Sequence, residues 1–408
     1  MDESASRPVN WRTEVSMSLK TTNEKALELH RTLKGKIKVV STLEVTSKET
    51  LSLVYSPGVA APSLAIAHDP DQVSAYTWRQ NTIAIISNGT AVLGLGNIGP
   101  KAALPVMEGK AMLFQQFAAI NAVPLVIDAE DPDSLIEFCQ RIAPSFGGIN
   151  LEDIKAPECV YIEETLKRTL DIPVFHDDQH GTAIVVLAAL INALRVVEKP
   201  LERVKVVVSG TGAAGSAIIR LLSEAGVNTL YGYNHQGVVD YRREKEYDEV
   251  LVSLKPYITA VDQEKTLADL LIDADVFIGV SKPDLVQAED IAAMNDNAIV
   301  FALANPDPEI TYDKAKAAGA RIVGTGRSDF PNQINNVLAF PGLFKGALMA
   351  NAAAITKPMI LAASAALAGL VNDDLSEVMI LPDIFDPRVV EAISTAVAEA
   401  AGMGEVNR

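Results

Sequence analysis

The chain reads as an α/β protein in two parts, an N-terminal α/β domain followed by a Rossmann-like doubly wound domain, and three observations carry that reading. After Pro200 the sequence runs apolar strand, glycine turn, aliphatic helix, apolar strand, which are the parts of a parallel α/β unit. Short apolar runs recur on both sides of it, separated by segments of helical periodicity. At 408 residues the chain is long for one compact domain, and 49% hydrophobic content with 5% aromatics supplies a large aliphatic core. The boundary is expected beside the acidic cluster that begins at Phe175, giving parts 1–178 and 179–408.

Residues 1–20 are polar and mixed, and 24–35 predicts a helix closed by Gly35. Strands are expected at 82–87, 91–93 and 124–128, with helices at 108–121 and 132–142. The Ala/Val/Leu segment 182–197 predicts a buried helix ending near Pro200. Beyond it come strand 204–209, turn 210–215, helix 216–225 and strand 229–233, with further strands at 276–280, 298–302 and 321–323.

A formal net charge of −17 argues against nucleic acid or an anionic membrane surface as partner. The start Met1-Asp-Glu-Ser lacks the basic residues and apolar stretch of a secretory signal, and the apolar run 352–370 is interrupted by Thr356, Lys357 and Pro358. A cytoplasmic protein without a membrane span is therefore expected. Cys139 and Cys159 form no Cys-x-x-Cys pair and read as free thiols.

Gly210-Thr-Gly-Ala-Ala-Gly215 lies at a strand-to-helix turn. There the first glycine permits the turn, the second admits a pyrophosphate and the third lets helix and strand pack. Gly210, Thr211, Gly212, Ala213, Ala214 and Gly215 are thus candidates for holding NAD or NADP. Asn234 stands where an acid would take a ribose diol, the nearest acid is Asp240, and Arg242 and Arg243 could meet a 2′-phosphate or form a solvated pair, so nucleotide choice stays open. A second match, Gly94-Leu-Gly-Asn-Ile-Gly99, precedes Pro100 and Pro105, which should break the helix a phosphate needs; it reads as a backbone turn near the substrate.

Two acidic pairs, Glu152-Asp153 and Asp177-Asp178, could be caps or surface charges. Burying several like charges is costly without a cation, however, and hard oxygen ligands without cysteine suit Mg²⁺ or Mn²⁺. His176 and His180 invite zinc, but no adjacent glutamate base accompanies them and Gly181 interrupts the segment. Lys110, behind Gly109 and between apolar residues, either snorkels to solvent or sits in a closed pocket where desolvation and nearby cations would lower its pKa toward that of a base. Tyr55, on a Pro-Gly turn, is a core phenol or a proton donor.

Tyr55-Ser-Pro-Gly-Val-Ala60, Gly89-Thr-Ala-Val-Leu-Gly-Leu-Gly-Asn-Ile-Gly99, Glu108-Gly-Lys-Ala111, Asn150-Leu-Glu-Asp-Ile154, Phe175-His-Asp-Asp-Gln-His-Gly-Thr-Ala183, Leu303-Ala-Asn-Pro306 and Gln333-Ile-Asn-Asn-Val-Leu-Ala-Phe-Pro-Gly342 stand in one order along the chain. Together they resemble the malic enzymes, in their short bacterial form. The resemblance implies oxidative decarboxylation of L-malate to pyruvate and CO₂ with reduction of NAD(P)⁺, dependent on Mg²⁺ or Mn²⁺. It implies Tyr55 as general acid, Lys110 as general base, Glu152, Asp153 and Asp178 as metal ligands, and Asp177 as an orienting carboxylate. Asn305 and Asn335 would touch substrate or nicotinamide, with Asn336 beside them, and a homodimer is implied, with the active site completed across its interface as one form.

The pattern has departures. Ala91 stands where longer family members carry an arginine for a substrate carboxylate, and with the sequence ending at Arg408 the acyltransferase-like extension of larger bacterial relatives is expected to be absent. Sister activities on the same motifs are oxaloacetate decarboxylation and direct conversion of malate to lactate. A non-enzymatic NAD(P)-sensing module is the reading from another class.

Overall fold

The computed structural model describes residues 21–92, 94–129 and 131–404, so the polar start at 1–20 lies outside the described residues. The segment to Thr42 is a unit of its own. Its helix α1, Thr22–Leu33, starts at a capping box in which Thr21 and Glu24 each accept from the other's backbone N–H, and it ends at Lys34, whose φ of 52° is left-handed. Helix α1 buries none of its residues.

From Leu43 onward the chain forms the second unit. Helices α2 (Lys48–Val54) and α3 (Ala60–His68) lead to a four-stranded parallel sheet, β1 (Thr82–Ser87), β2 (Asn121–Val126), β3 (Gly148–Leu151) and β4 (Val174–His176), in the order β2-β1-β3-β4. Helices α4 (Pro100–Ala118), α5 (Pro132–Ile142) and α6 (Glu158–Thr169) make the crossovers. All six residues of β1 are buried, as expected of a parallel strand covered on both faces. The order reverses between β1 and β3, and the carboxyl ends at such a switch point form a natural crevice.

Three expectations fail here for local reasons. Of the strand expected at 91–93, Leu93 is outside the described residues, Ala91 is in no strand, and Val92 makes only an isolated bridge to Gly96, because Gly94 and Gly96, both at φ +74°, turn the chain back. The helix expected from 108 starts at Pro100. Proline is favoured at the first helical position, where its missing N–H would have been orphaned anyway, and Pro105 forfeits one bond in a helix of 19 residues. The strand expected at 124–128 runs at 121–126, paired in register with β1.

The second sheet has six strands in the order β10-β9-β8-β5-β6-β7: β5 (Lys205–Ser209), β6 (Thr229–Asn234), β7 (Gly237–Val238), β8 (Val276–Gly279), β9 (Ile299–Ala302) and β10 (Ile322–Thr325). All pairs are parallel except β6 with β7. Helix α7 (Thr182–Val196) precedes it and α8 (Ala213–Glu224) follows β5. The segment Asp177–Val196 is long and apolar enough to span a membrane by length and composition, yet 72% of it is buried within the protein, so its apolar surface is consumed by the core. Helices α9 (Phe340–Met349), α10 (Lys357–Gly369) and α11 (Arg388–Gly404) close the chain. One apolar cluster joins Ile83 and Phe175 of the first sheet, Leu190 of α7, Val206 of β5 and Phe344 of α9. Truncating a fully buried leucine such as Leu190 in it costs about 2–5 kcal/mol.

Candidate active site

The carboxyl ends of two short strands deliver the acids. Glu152 and Asp153 directly follow β3, and Asp177 and Asp178 directly follow β4. Oxygens of Glu152, Asp153 and Asp178 lie within 4.8 Å of one another, the one such group of potential metal ligands among the described residues. The backbone N–H of Asp153 donates to Asp178 Oδ2 at 2.8 Å, and Asp153 takes a left-handed φ of 54° to reach that position. Burial raises the pKa of both Glu152 and Asp178, and for Glu152 the charge of Asp178 adds to it. Holding these buried carboxylates together charged is costly, and a bound cation would offset that cost. Three hard oxygens without a thiolate fit Mg²⁺ or Mn²⁺.

Lys110 comes to the same place from the third turn of α4. Its buried Nζ donates to Glu152 Oε1 at 3.0 Å and to Asp177 Oδ2 in a shorter contact, and it lies 3.9 Å from the centre of the Phe340 ring. The expected lowering of its pKa is not what the structure gives. Burial acts downward, but Asp177 and Glu152 outweigh it and hold the ammonium above the ordinary lysine value, because the neighbours are anions rather than cations. Asp177 is pushed up to about 8 by burial, against the pull of Lys110. Asn150 Nδ2 donates to Glu152 Oε2 at 2.8 Å, and Asn336 Nδ2 donates to Asp177 Oδ2 at 2.5 Å.

Asp177–Gly181 winds as a single π-turn into α7, a form frequent at functional sites. The turn needs its glycine, since a Cβ on Gly181 would lie 1.9 Å from Asp177 Oδ1. Behind it the buried Glu163 of α6 accepts from the backbone N–H of His176 and from Gln179, and meets His180 Nε2 at 2.9 Å and Lys167 Nζ at 2.7 Å. Burial lowers His176 to about 4, so its ring is neutral. His180 is engaged by Glu163 while His176 Nδ1 stands 3.9 Å from Asp178, so the two rings do not converge on one ion as a zinc pair would.

The loop 89–99 ties this cluster to the second sheet. Ala91 N–H donates to Asp153 O at 3.0 Å, Thr90 Oγ1 accepts from Lys155 N–H at 3.0 Å, and a Cβ on Gly94 would sit 2.6 Å from Asn305 O. Asn305, just past β9, is thereby held beside the loop. Asn335 turns its own oxygen back onto Val337 N–H at 2.9 Å, so of the two adjacent asparagines it is Asn336 whose side chain enters the cluster. Tyr55 stands apart: it ends α2 with 68% of its surface exposed, and no hydrogen bond among the described residues joins its side chain to Lys110.

At the switch point of the second sheet, between β5 and β8, a cavity of about 470 Å³ is lined by Ser209, Gly210, Thr211, Gly212, Asn234 and Ser281. Helix α8 starts at Ala213, three residues earlier than expected, so Ala213 and Ala214 form its first turn directly after Gly212, which lines the cavity. A Cβ on Gly215 would fall 1.6 Å from Gly210 O, whereas one on Gly212 would meet nothing within 4 Å. Close packing therefore dictates the third glycine, and the second leaves open the space a pyrophosphate would cross. Asn234 Nδ2 donates to Thr211 Oγ1 at 3.0 Å and its Oδ1 accepts from Gln236 N–H at 2.8 Å. Arg242 is clamped on Asp240, and Arg243 donates to Gln236 O and Val238 O at 3.1 and 3.0 Å. The basic pair is thus occupied by the protein itself. Both cysteines are free and buried, and burial pushes their thiols up to about 12.

Sequence reasoning missed Asn150, Glu163, Gly181 and Phe340 as parts of this site. The four-residue spacing of Asp177 and Gly181 was a usable signal, since residues that far apart in a helical turn face each other; nothing local marks Glu163 or Phe340.

A model of the malic enzyme NAD binding domain matches residues 179–402, and one of the malic enzyme N-terminal domain matches residues 34–132. The bifunctional malic/malolactic enzyme of Bacillus subtilis is 49% identical over 379 residues, 93% of this chain and 92% of that protein. The NADP-dependent malic enzyme of Escherichia coli is 46% identical over 93% of this chain, which spans 52% of that longer protein. The crystal structure of the NAD-dependent malic enzyme from Thermotoga maritima superposes with a TM-score of 0.88 at 46% identity, covering 91% of this chain and 98% of that one. With acid cluster, lysine and nucleotide turn arranged as described and both models matched in order, the chain belongs to the malic enzyme family.

Proposed function

We propose that this protein oxidatively decarboxylates L-malate to pyruvate and CO₂ while reducing NAD⁺ or NADP⁺, with Mg²⁺ or Mn²⁺ required. The observation that carries the reading is the buried Lys110 joined to Glu152 and Asp177 beside the three-carboxylate group. Glu152, Asp153 and Asp178 would hold the metal, which when bound supplies Lewis-acid polarisation of the C2 oxygen and makes the new carbonyl an electron sink for loss of CO₂. Gly210, Thr211, Gly212, Ala213, Ala214 and Gly215 would hold the pyrophosphate of the nucleotide, with Asn234 beside its ribose and Asn305 toward its nicotinamide, and the nucleotide when bound would supply the hydride acceptor.

The chain's own groups handle the protons. Asp177 orients Lys110 Nζ through the bond they share, and Lys110 in its neutral form removes the C2 hydroxyl proton. Asn336 holds Asp177 in place, Asn335 and Asn305 line the substrate side, and Phe340 excludes water from the ammonium. Tyr55 returns a proton to C3 of the enolate. Its exposure, together with exposed Leu51, Leu53, Val54 and Leu64 on α2 and α3, supports a homodimer in which the tyrosine of one protomer completes the site of its partner. We place the domain boundary between residues 178 and 179 and the protein in the cytoplasm, acting on malate rather than on nucleic acid or membrane.

The test is the initial rate with L-malate, Mn²⁺ and each nucleotide in turn, with products identified. Pyruvate and reduced nucleotide in equal amounts support the reading. Lactate without net reduction assigns the malolactic reaction, and turnover of oxaloacetate alone assigns the decarboxylase.

A further inference from the structure

The acids occupy the carboxyl ends of the first sheet, and a second cavity, of about 480 Å³, opens at its amino ends. Arg79 precedes β1, Gly147 precedes β3 and Asp171 precedes β4, and the last turn of α9 supplies Leu348. We infer that this cavity is an effector site that takes a small carboxylate on Arg79.

The guanidinium is largely sequestered, with 15% of its side chain exposed, and its Nε is buried without a hydrogen-bond partner. Its ionic neighbour among the described residues, Asp171, stands 3.9 Å away on a side chain that is 88% exposed, too far for a hydrogen bond. A buried donor left unpaired is destabilising, and a ligand that pairs the guanidinium offsets part of that cost. A planar guanidinium edge is matched by a carboxylate, which can take two of its N–H groups at once. Neutral polar side chains, Gln80, Gln140 and Asn351, line the same space and would receive the rest of a small polar ligand.

Position makes this an effector site rather than a mere crevice. A Cβ on Gly147 would meet Arg79 O at 2.3 Å and Leu348 Cδ2 at 2.9 Å, so the arginine segment, the start of β3 and the end of α9 touch without slack. The other end of α9 presents Phe340 to Lys110, and Asn336 just before it holds Asp177. Gly342 and Gly346 pack α9 tightly on α11, which makes the helix a stiff link between cavity and lysine. A ligand that shifts one end must be felt at the other, and the coupling is reciprocal.

The site can be read without turnover. Ligand-observed NMR titration of the full chain with propionate, L-alanine and propionamide compares a carboxylate alone, a carboxylate with an ammonium that Asp171 could meet, and a control lacking the charge. Saturable binding of propionate or L-alanine is expected, at least about tenfold tighter than propionamide. It should be lost in Arg79→Gln and weakened in Arg79→Lys, which keeps the charge but not the fork; retained nucleotide binding shows that both variants fold. Binding that is unchanged in the variants, or equal for propionamide, overturns the site. The effector role rests on the malate reading: the bound carboxylate should shift the half-saturating malate concentration by about threefold in the wild type and not in Arg79→Gln. An unchanged value, or the same shift in the variant, overturns that role, while absence of any malate turnover would fault the functional reading and leave the NMR result standing.

Discussion

Two turns in this chain carry the same Gly-x-Gly-x-x-Gly spelling and obey different physics. In the first, Gly94, Gly96 and Gly99 all have φ between +74° and +79°, and Gly96 and Gly99 have no atom within 4 Å of a would-be Cβ. In the second, only Gly210 is at positive φ, and the decisive glycine, Gly215, is required by a backbone oxygen 1.6 Å from where its Cβ would be. The first is a loop that needs left-handed residues to fold back between Asp153 and Asn305, and its helix, α4, delivers Lys110. The second is a tight strand-to-helix joint facing a cavity. A shared motif therefore licenses no shared role; what each glycine avoids tells the two apart.

The contrast is broken most directly at Gly215. Gly215→Ala forces backbone against side chain, and we expect nucleotide affinity to fall about 100-fold, near 3 kcal/mol, in a fluorescence titration with reduced nucleotide. Normal affinity would mean that the second turn does not hold the cofactor. Next in size, Asp178→Asn should weaken Mn²⁺ binding by about 100-fold in calorimetry while leaving nucleotide affinity unchanged, because the acids stand on the first sheet and the nucleotide turn on the second. A loss of both affinities together would merge the two sites.

Smaller effects sharpen the picture. Asn234→Asp restores an acceptor for a ribose diol and repels a 2′-phosphate, so the ratio of kcat/KM for NAD over NADP should rise about tenfold. An unmoved ratio would place nucleotide selection elsewhere. Gly96→Ala meets no neighbour and should cost only the left-handed strain, about 1 kcal/mol, seen as a fall in Tm of about 2 °C. A drop as large as that of a core truncation would show the loop to be packed rather than merely bent.

Much of the second sheet was legible because β5, β6 and β8 are apolar runs followed by glycine or turn residues, and α5 was found at its full extent because Asp131 and Pro132 mark its start. The first sheet was harder. Strands β3 and β4, four and three residues long, are wholly buried, so they lack the alternation that announces a strand, and they were hidden beside the very acids they position. The start of α4 was lost to a rule about proline that does not hold at the first helical position. The acids and Lys110 could be named from motifs, but the charge state of Lys110 could not, since it depends on Asp177, 67 residues away. Glu163, which fixes the backbone of His176 from another helix, leaves no local trace at all.

The central claim is that the first turn's helix carries the proton chemistry and the second turn only the nucleotide. Single-turnover mixing of Lys110→Ala with L-malate, Mn²⁺ and nucleotide, at concentrations that saturate the wild type, tests it. The account predicts nucleotide binding close to that of the wild type and a rate of nicotinamide reduction lower by about 10²–10⁴-fold. Reduction at the wild-type rate would contradict it, because the proton would then leave the substrate by some group other than Lys110.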